Sequence, residues 1–448
     1  MNQFEPYLPI LEEALQKLDS WRVSYGKDTG SISDAQFEQI QKIADRLTVR
    51  LEGNYPFHHP GYAGQMLKPP HPVAWLSYAL AMTINPNNHA LDGGPPTSEM
   101  EKEVIQKMAA MIGYDSNSLG HLTSGGTIAN LEALFIAREI HPKKAVAASA
   151  NAHYTHQRMC HVLNCEFIKI PADHFGIPDI DFIKNNADQI GTIVVTLGTT
   201  GLGIVEPLQE ILKVAKNNHI RVHADAAYGG FFKLISDELP SRRHWDYLSE
   251  CDSIVIDPHK HGLQPYGCGS VLYKDAAVGK YFKHDSPYTY FTSDDLHLGE
   301  ISLECSRAGA SAAAFWSTLE FLPLTKSGLG SILASTINAA NKFASRIKEE
   351  SKWQLYRNPD LDIVAYFKEP NEKSILRLNQ ISHEIFDRGM NLGTSGYHLS
   401  LFKVPADEFL ENFPDYQPNA EHAVILRSVF MKEEHEDFVD ELVQRLTS

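Results

Sequence analysis

The sequence predicts an α/β fold: a mainly parallel sheet covered by helices in a large domain, followed by a smaller C-terminal α+β domain. Three observations carry this. Short apolar runs at 145–148, 167–170, 193–196, 220–223 and 254–256 alternate with helical stretches, the pattern of buried parallel strands joined by helices. After residue 324 the pattern changes to a long helix over 331–349, strands at 361–367, 398–402 and 423–430, and helices over 374–388 and 433–446. Finally, the runs at 220–223 and 254–256 lead into His223-Ala224-Asp225-Ala226-Ala227-Tyr228-Gly229-Gly230 and Asp257-Pro258-His259-Lys260-His261-Gly262. If the two strands are parallel neighbours, Asp225 and Lys260 meet at the carboxyl edge of one sheet, where open α/β sheets bind ligands.

Ahead of that sheet, residues 8–21 carry Leu8, Leu11, Leu15, Leu18 and Trp21 at helical spacing. Ser33 and Gln36 form a capping box for a second helix, expected to bury Phe37, Ile40, Ala44, Leu47 and Leu51 and to stop at Gly53. The stretch 54–97 is rich in Pro and His, so it should run over the surface around one helix at 73–82. Ser98 with Glu101 should open a helix running to Gly113. Ser124-Gly125-Gly126-Thr127 leads into a helix carrying Ile128, Leu131, Leu134 and Phe135. The resulting division is an N-terminal helical and Pro-rich segment (1–97), a large domain (98–325) and a small C-terminal domain (326–448), with the linker at 323–330.

The chain has 448 residues, 43% apolar and 21% charged, the composition of a globular protein. A net charge of −16 argues against general binding to nucleic acid or anionic membranes. The first residues lack a basic region followed by an apolar run, and no apolar run approaches membrane-spanning length, so a cytoplasmic location is expected. Five cysteines form no disulfide framework. The cluster Cys160, His161, Cys165 lacks a second paired set, and no structural metal is expected.

An acid and an amine converging at a sheet edge suit pyridoxal phosphate. That cofactor needs a lysine for its covalent attachment and a carboxylate to keep its ring nitrogen protonated. Positive charge on His259 or His261 would ease deprotonation of Lys260. Singly, each residue has a plainer reading: an Asp at a strand end caps the next helix, and a Lys beside two His sits in a solvated loop. Gly125-Gly126-Thr127 at a helix start offers backbone N–H groups and a hydroxyl to a phosphate, although a lone Gly-Gly-Thr is more often just a turn.

The two motifs together resemble the group II pyridoxal-phosphate-dependent amino acid decarboxylases, which include the aromatic amino acid, tyrosine and glutamate decarboxylases. The resemblance runs from about residue 55 to 324 and more weakly to the C-terminus. It implies the fold type I (aspartate aminotransferase-like) architecture and a homodimer whose N-terminal segment packs on the other subunit. By resemblance, Lys260 carries the cofactor, Asp225 pairs with its ring nitrogen, and Gly125, Gly126, Thr127 and His259 bind its phosphate. His153 stacks on one face of the ring and Ala227 packs on the other. Thr200 lies near the phenolic oxygen, with Thr199 as the alternative should the register slip by one. His58, His59 and Tyr62 lie near the substrate mouth. Asp257 stands where several relatives have a neutral amide, and an anion beside phosphate is unfavourable.

The resemblance also implies a loop tyrosine that protonates the substrate carbon in the partner's site. The run 281–305 has little periodicity and suits an active-site lid; Tyr290 is the first choice and Tyr288 the second, or both merely pack the loop down. The implied reaction is decarboxylation of an L-amino acid to its amine. Residues 298–324, including Ser306-Arg307-Ala308-Gly309-Ala310, look most like bacterial tyrosine decarboxylases and favour an aromatic or neutral substrate. Arg427 could instead bind a carboxylate, which keeps glutamate and aspartate open. Another pyridoxal reaction (an aldehyde-forming relative, a carbon–carbon lyase, an aminotransferase) and a catalytically silent binding protein are the other readings. Intact Lys260, Asp225 and His153 argue against the last.

Overall fold

The computed structural model describes residues 4–26, 30, 32–283 and 302–448. Seven strands, β1 (Leu119–Thr123), β2 (Ala145–Ser149), β3 (Phe167–Ile170), β4 (Ile190–Thr196), β5 (Arg221–Asp225), β6 (Ser253–Ile256) and β7 (Gly269–Tyr273), form one sheet in the order β1-β7-β6-β5-β4-β2-β3. The run β3-β2-β4-β5-β6 is parallel, and β7 is antiparallel to both β6 and β1. The five apolar runs read from the sequence are β2 to β6, and β5 and β6 are the expected parallel neighbours, with Asp225 opposite Val255.

Two strands escaped the sequence reading. β1 reads Leu-Gly-His-Leu-Thr and β7 begins Gly-Ser, neither an apolar run. Their burial comes from partners: His121 Nε2 lies 2.7 Å from Glu132 Oε2, both fully buried. Gly269 in β7 must be glycine, since a Cβ there would lie 2.6 Å from Gly125 Cα. That close approach seats the turn after β1 against the strand that follows the Lys260 loop.

Helices cover both faces. Met108, Leu212, Phe315 and Leu333, from the helices Pro95–Ile112, Leu208–Asn217, Gly309–Phe321 and Leu329–Glu349, pack with sheet residues such as Ile193, Val195 and Ile254. Ala129, Ala133 and Leu134 of the helix Gly126–Ile140, with Met159 and Cys160 of the helix Thr155–Val162, cover the other face.

A second, antiparallel sheet holds β8 (Trp353–Leu355), β9 (Ile363–Lys368), β10 (Ser400–Pro405) and β11 (His422–Val429) in the order β10-β11-β9-β8. Helices Ile375–Asn391 and His435–Thr447 pack on it, as their expected positions imply, and Leu329–Glu349 joins the two cores along its length. β8 and the short helix Ala406–Asn412 were not anticipated.

The helix expected to open at Ser98 starts three residues earlier, at Pro95, after Gly94. Proline suits the first helical positions, where an N–H would be unpaired anyway. Glu101 does not cap. It accepts from Leu122 N (2.9 Å) and Asn88 Nδ2 (2.7 Å) and pairs with Arg307 Nη1 at 2.5 Å. Arg307 also donates to the carbonyls of Leu122 and Asn88. Breaking one side of such a buried pair costs about 3–5 kcal/mol.

The N-terminal helices are Leu8–Val23 and Asp34–Leu51, the second opened by the full Ser33/Gln36 capping box. The expected burial of its apolar face is not observed. Phe37 is 59% exposed, Leu47 54% and Leu51 56%, and neither helix buries a residue. Among the described residues, none covers these side chains enough to bury them. Among the described residues, no helix is long and apolar enough to cross a membrane, and no cluster of His, Cys, Asp or Glu is arranged to hold a metal ion.

Candidate active site

At the carboxyl edge of β4, β5 and β6 lies a cavity of about 300 Å³. Ser124 to Thr127, His153, Thr200, Asp225, Ala227, Asp257, His259 and Lys260 all contribute to its wall. The sequence candidates Gly125, Gly126, Thr127, His153, Thr200, Asp225, Ala227, His259 and Lys260 thus converge from segments far apart in the chain.

Asp225 ends β5 and is 5% exposed. Its Oδ2 lies 2.8 Å from His156 Nε2, and its Oδ1 accepts from Ala227 N at 3.2 Å. Burial opposes its charge, but the His156 hydrogen bond and the nearby His156, Lys260 and His223 outweigh that penalty and hold the carboxyl well below the usual carboxylate range. His156 is fully buried and was not singled out from the sequence. The available signal was its spacing: His153 and His156 are three residues apart across a helix start, which places them near one face.

Behind Asp225 the polar groups form a satisfied chain. His223 Nε2 lies 2.9 Å from Asn130 Oδ1, whose Nδ2 donates to Gly126 O, and His223 Nδ1 lies 2.9 Å from Ser253 Oγ. Burial pulls His223 down to about 3, so the ring is neutral.

On the other side, Lys260 Nζ lies 3.2 Å from Asp257 Oδ2. The condition under which His259 or His261 would ease deprotonation of Lys260, a positive charge on the ring, is disfavoured. Burial lowers the pKa of both, against the pull of Asp257 on one and Asp362 on the other, so each favours its neutral form. His261 points away into the core, with Nε2 3.1 Å from Asp362 Oδ2, and Tyr228 donates to Asp362 Oδ1 at 2.6 Å.

The helix Gly126–Ile140 has no side-chain cap, so its first N–H groups face the cavity, an arrangement that attracts an anion. Gly126 is required there: a Cβ would lie 2.6 Å from Asp257 Oδ2. Asp257 Oδ1 and His259 Nδ1 are buried with no hydrogen-bond partner among the described residues. His153 Nδ1 lies 2.5 Å from Thr155 Oγ1, and burial lowers its pKa. Thr199 turns its hydroxyl to Ile204 N at 3.0 Å, whereas Thr200 lines the cavity.

Arg427 is not free for a carboxylate. Its guanidinium donates to the carbonyls of Gly201 (2.7 Å), Thr200 (2.7 Å) and Gly64 (3.1 Å). His58, His59 and Tyr62 do not line this cavity; Tyr62 is buried among Tyr55, Phe57 and His398. Tyr288 and Tyr290 lie outside the described residues.

The Lys260 amine, the buried carboxylate of Asp225 kept ionised, an uncapped helix start and a cavity of this size fit pyridoxal phosphate. The profile of the pyridoxal-dependent decarboxylase conserved domain matches residues 53–368, and the chain belongs to that family. It is a pyridoxal-phosphate-dependent amino acid decarboxylase, a carboxy-lyase. An L-tyrosine decarboxylase of Enterococcus faecium is 26% identical, over 85% of this chain and 82% of the relative. A probable L-tyrosine/L-aspartate decarboxylase of Methanococcus maripaludis (strain C5) is also 26% identical, over 72% of this chain and 85% of its own length. Among solved structures, mouse CSAD superposes with a TM-score of 0.78 at 19% identity, covering 98% of this chain and 99% of that one. Oryza sativa TDC with PLP and tryptamine gives 0.78 at 16%, covering 98% of each chain.

Beneath Asp225 sits a second buried carboxyl. Glu206 accepts from Thr196 N at 2.7 Å, and Thr196 pairs with Asp225 across β4 and β5. Burial raises its pKa from 4.5 to about 7, and Asp225 adds to the rise. A raised pKa contributes stability that is full below the unfolded value and is lost as pH rises through the folded one, here between about 4.5 and 7. The amount is on the order of 3 kcal/mol. Glu206→Gln should therefore lose less stability between pH 5 and 8 than the natural protein, measured by denaturant unfolding at both pH values. Equal losses in the two proteins would remove Glu206 as the titrating group.

Proposed function

We propose that this decarboxylase acts on an aromatic or other neutral L-amino acid, with the residues of the β5–β6 edge as its machinery. The observation that carries the site reading is the pairing of a buried, ionised Asp225 with the Lys260 amine around one cavity. Lys260 would hold the cofactor covalently, Asp225 its ring nitrogen, and Gly125, Gly126, Thr127 and His259 its phosphate. His153 and Ala227 would take the two ring faces and Thr200 the phenolic oxygen. The bound cofactor supplies a protonated ring that accepts the electron pair left when carbon dioxide departs.

The chain's own residues do the rest. Asp225, fixed by His156 and the Ala227 N–H, keeps a proton on the atom it faces. His153, neutral at pH 7, offers a flat polar surface without adding charge near the departing carboxylate. The loop tyrosine delivers the proton to the substrate carbon.

Two observations support a neutral substrate. Lys260 is the only Lys or Arg among the described residues lining the cavity, and Arg427 is engaged with backbone carbonyls. The relatives named L-tyrosine decarboxylases point the same way. The test is a panel of L-amino acids with the purified holoenzyme, following carbon dioxide and amine together. Equal amounts are expected, fastest with an aromatic substrate. Asp225→Asn should keep the cofactor but turn over about 10²–10³-fold more slowly, and borohydride should fix the cofactor to Lys260. Fastest turnover on glutamate or aspartate would overturn the substrate reading, and labelling elsewhere would overturn Lys260.

We also infer a homodimer, supported by the exposed apolar residues of the two N-terminal helices, Leu8, Ile10 and Trp21 on one and Phe37, Ile40, Leu47 and Leu51 on the other. Analytical ultracentrifugation at assay concentration should find a dimer; a fully active monomer would contradict it.

Tyr290 is the proposed proton donor, with Tyr288 second. Tyr→Phe keeps the ring and removes the donor, so Tyr290→Phe should release carbon dioxide slowly and give less amine per carbon dioxide. Unchanged ratios and rates in both single variants would exclude both tyrosines.

A further inference from the structure

A second polar cavity, of about 330 Å³, lies where the Pro-rich segment meets the end of the C-terminal sheet. Lys68, His58 and His71 line it from one side, and Lys432, Glu433 and Glu434 from the other. None of them lines the cofactor cavity.

Lys68 and Lys432 both line this space, and Asp362, Glu434 and Glu433 attract the Lys68 ammonium only from beyond ion-pair distance. Lys432 is only 4% exposed; its Nζ donates to Tyr62 O and lies 5.2 Å from the centre of the Tyr62 ring. Lys68, half-buried, donates from Nζ to Met431 O at 2.8 Å and lines the cavity. Neither forms an ion pair with a carboxylate among the described residues. An ammonium carries three donors, and each of these uses one. His435 does not relieve the charge: its Nδ1 accepts from Lys432 N, its Nε2 faces Tyr62 O, and burial makes it neutral.

Burying one unpaired charge costs several kcal/mol, and two like charges at one cavity cost more. Burial lowers Lys68 to about 8 and Lys432 to about 7, and each is lowered further or only partly restored by its charged neighbours. Glu433 and Glu434 are exposed at the rim, where water already solvates them. They act on the lysines only at longer range.

We propose that the space between Lys68 and Lys432 is a binding site for a small oxyanion, of the phosphate or carboxylate class, distinct from the cofactor's phosphate cradle. Such an anion takes the free donors of both ammonium groups and ties three segments together. These are the Pro69–Pro72 turn, the start of the C-terminal helix, and Leu263, which lines the same cavity three residues after Lys260 and accepts from His71 N at 2.9 Å.

The test uses holoenzyme saturated with cofactor, so that the cradle at Gly125 to Thr127 is filled. Inorganic phosphate and malonate are titrated separately at constant ionic strength, and the unfolding temperature is followed. A ligand that binds only the folded state raises it saturably. The natural protein is expected to respond to at least one probe, and the stronger probe identifies the headgroup class. Lys68→Met and Lys432→Met should each weaken the apparent affinity at least tenfold. Lys326→Met, which removes a surface cation paired with Asp237 and Glu238, should not.

Without oxyanion, the two Met variants should unfold at or above the natural protein's temperature, because an uncompensated charge has gone. That separates lost binding from a damaged fold. No saturable response to either probe in the natural protein, or equal responses in both Met variants, overturns the proposal.

Discussion

A charge held out of water is the constraint on which the site depends. Asp225 is buried at the end of β5 and ionised, a state that the interior penalises unless hydrogen bonds and opposite charge offset it. The fold meets this with His156 from a helix on one side of the sheet, the Ala227 N–H from the turn after β5, and Lys260 from the loop after β6. Behind them, His223, Asn130 and Ser253 link the strand to the helix Gly126–Ile140. Each of these contacts exists only because β5 lies between β4 and β6 in register. Topology and electrostatics are therefore one problem here.

The parallel strands were legible because both their faces are buried, which writes continuous apolar runs such as Ile193-Val194-Val195 and Ile254-Val255-Ile256. Asp225 and Lys260 were legible because each follows such a run. β1 and β7 were not, because Gly120, His121, Gly269 and Ser270 are polar or small and become strand residues through pairing with each other. His156 was missed for a related reason. Its partner lies 69 positions along the chain, and the one local signal, its three-residue spacing from His153, points to no partner.

Local signals were read correctly where the answer was local, and less well where it was not. The Ser33/Gln36 box caps its helix as expected, whereas the apolar face of that helix stays exposed among the described residues. Ser98 and Glu101 have the same spacing, yet Glu101 is recruited by Arg307 and Asn88. A capping motif competes with every long-range partner its carboxylate can reach. Here a guanidinium more than two hundred residues away wins.

The pairing of β1 with β7 also sets an order of events during synthesis. β1 precedes the turn proposed as the phosphate cradle, but its one strand neighbour among the described residues, β7, lies about 150 residues downstream. At translation rates of about 5–20 residues per second, the ribosome needs on the order of ten seconds to supply it. Until then β1 has no partner, and the turn lacks the Gly269 backbone that it packs against. The nascent chain can assemble β2 to β6 and place Asp225 before that moment. Only afterwards can it close the Gly125–Thr127 end of the cavity, so the two proposed anchor points of the cofactor would mature at different times.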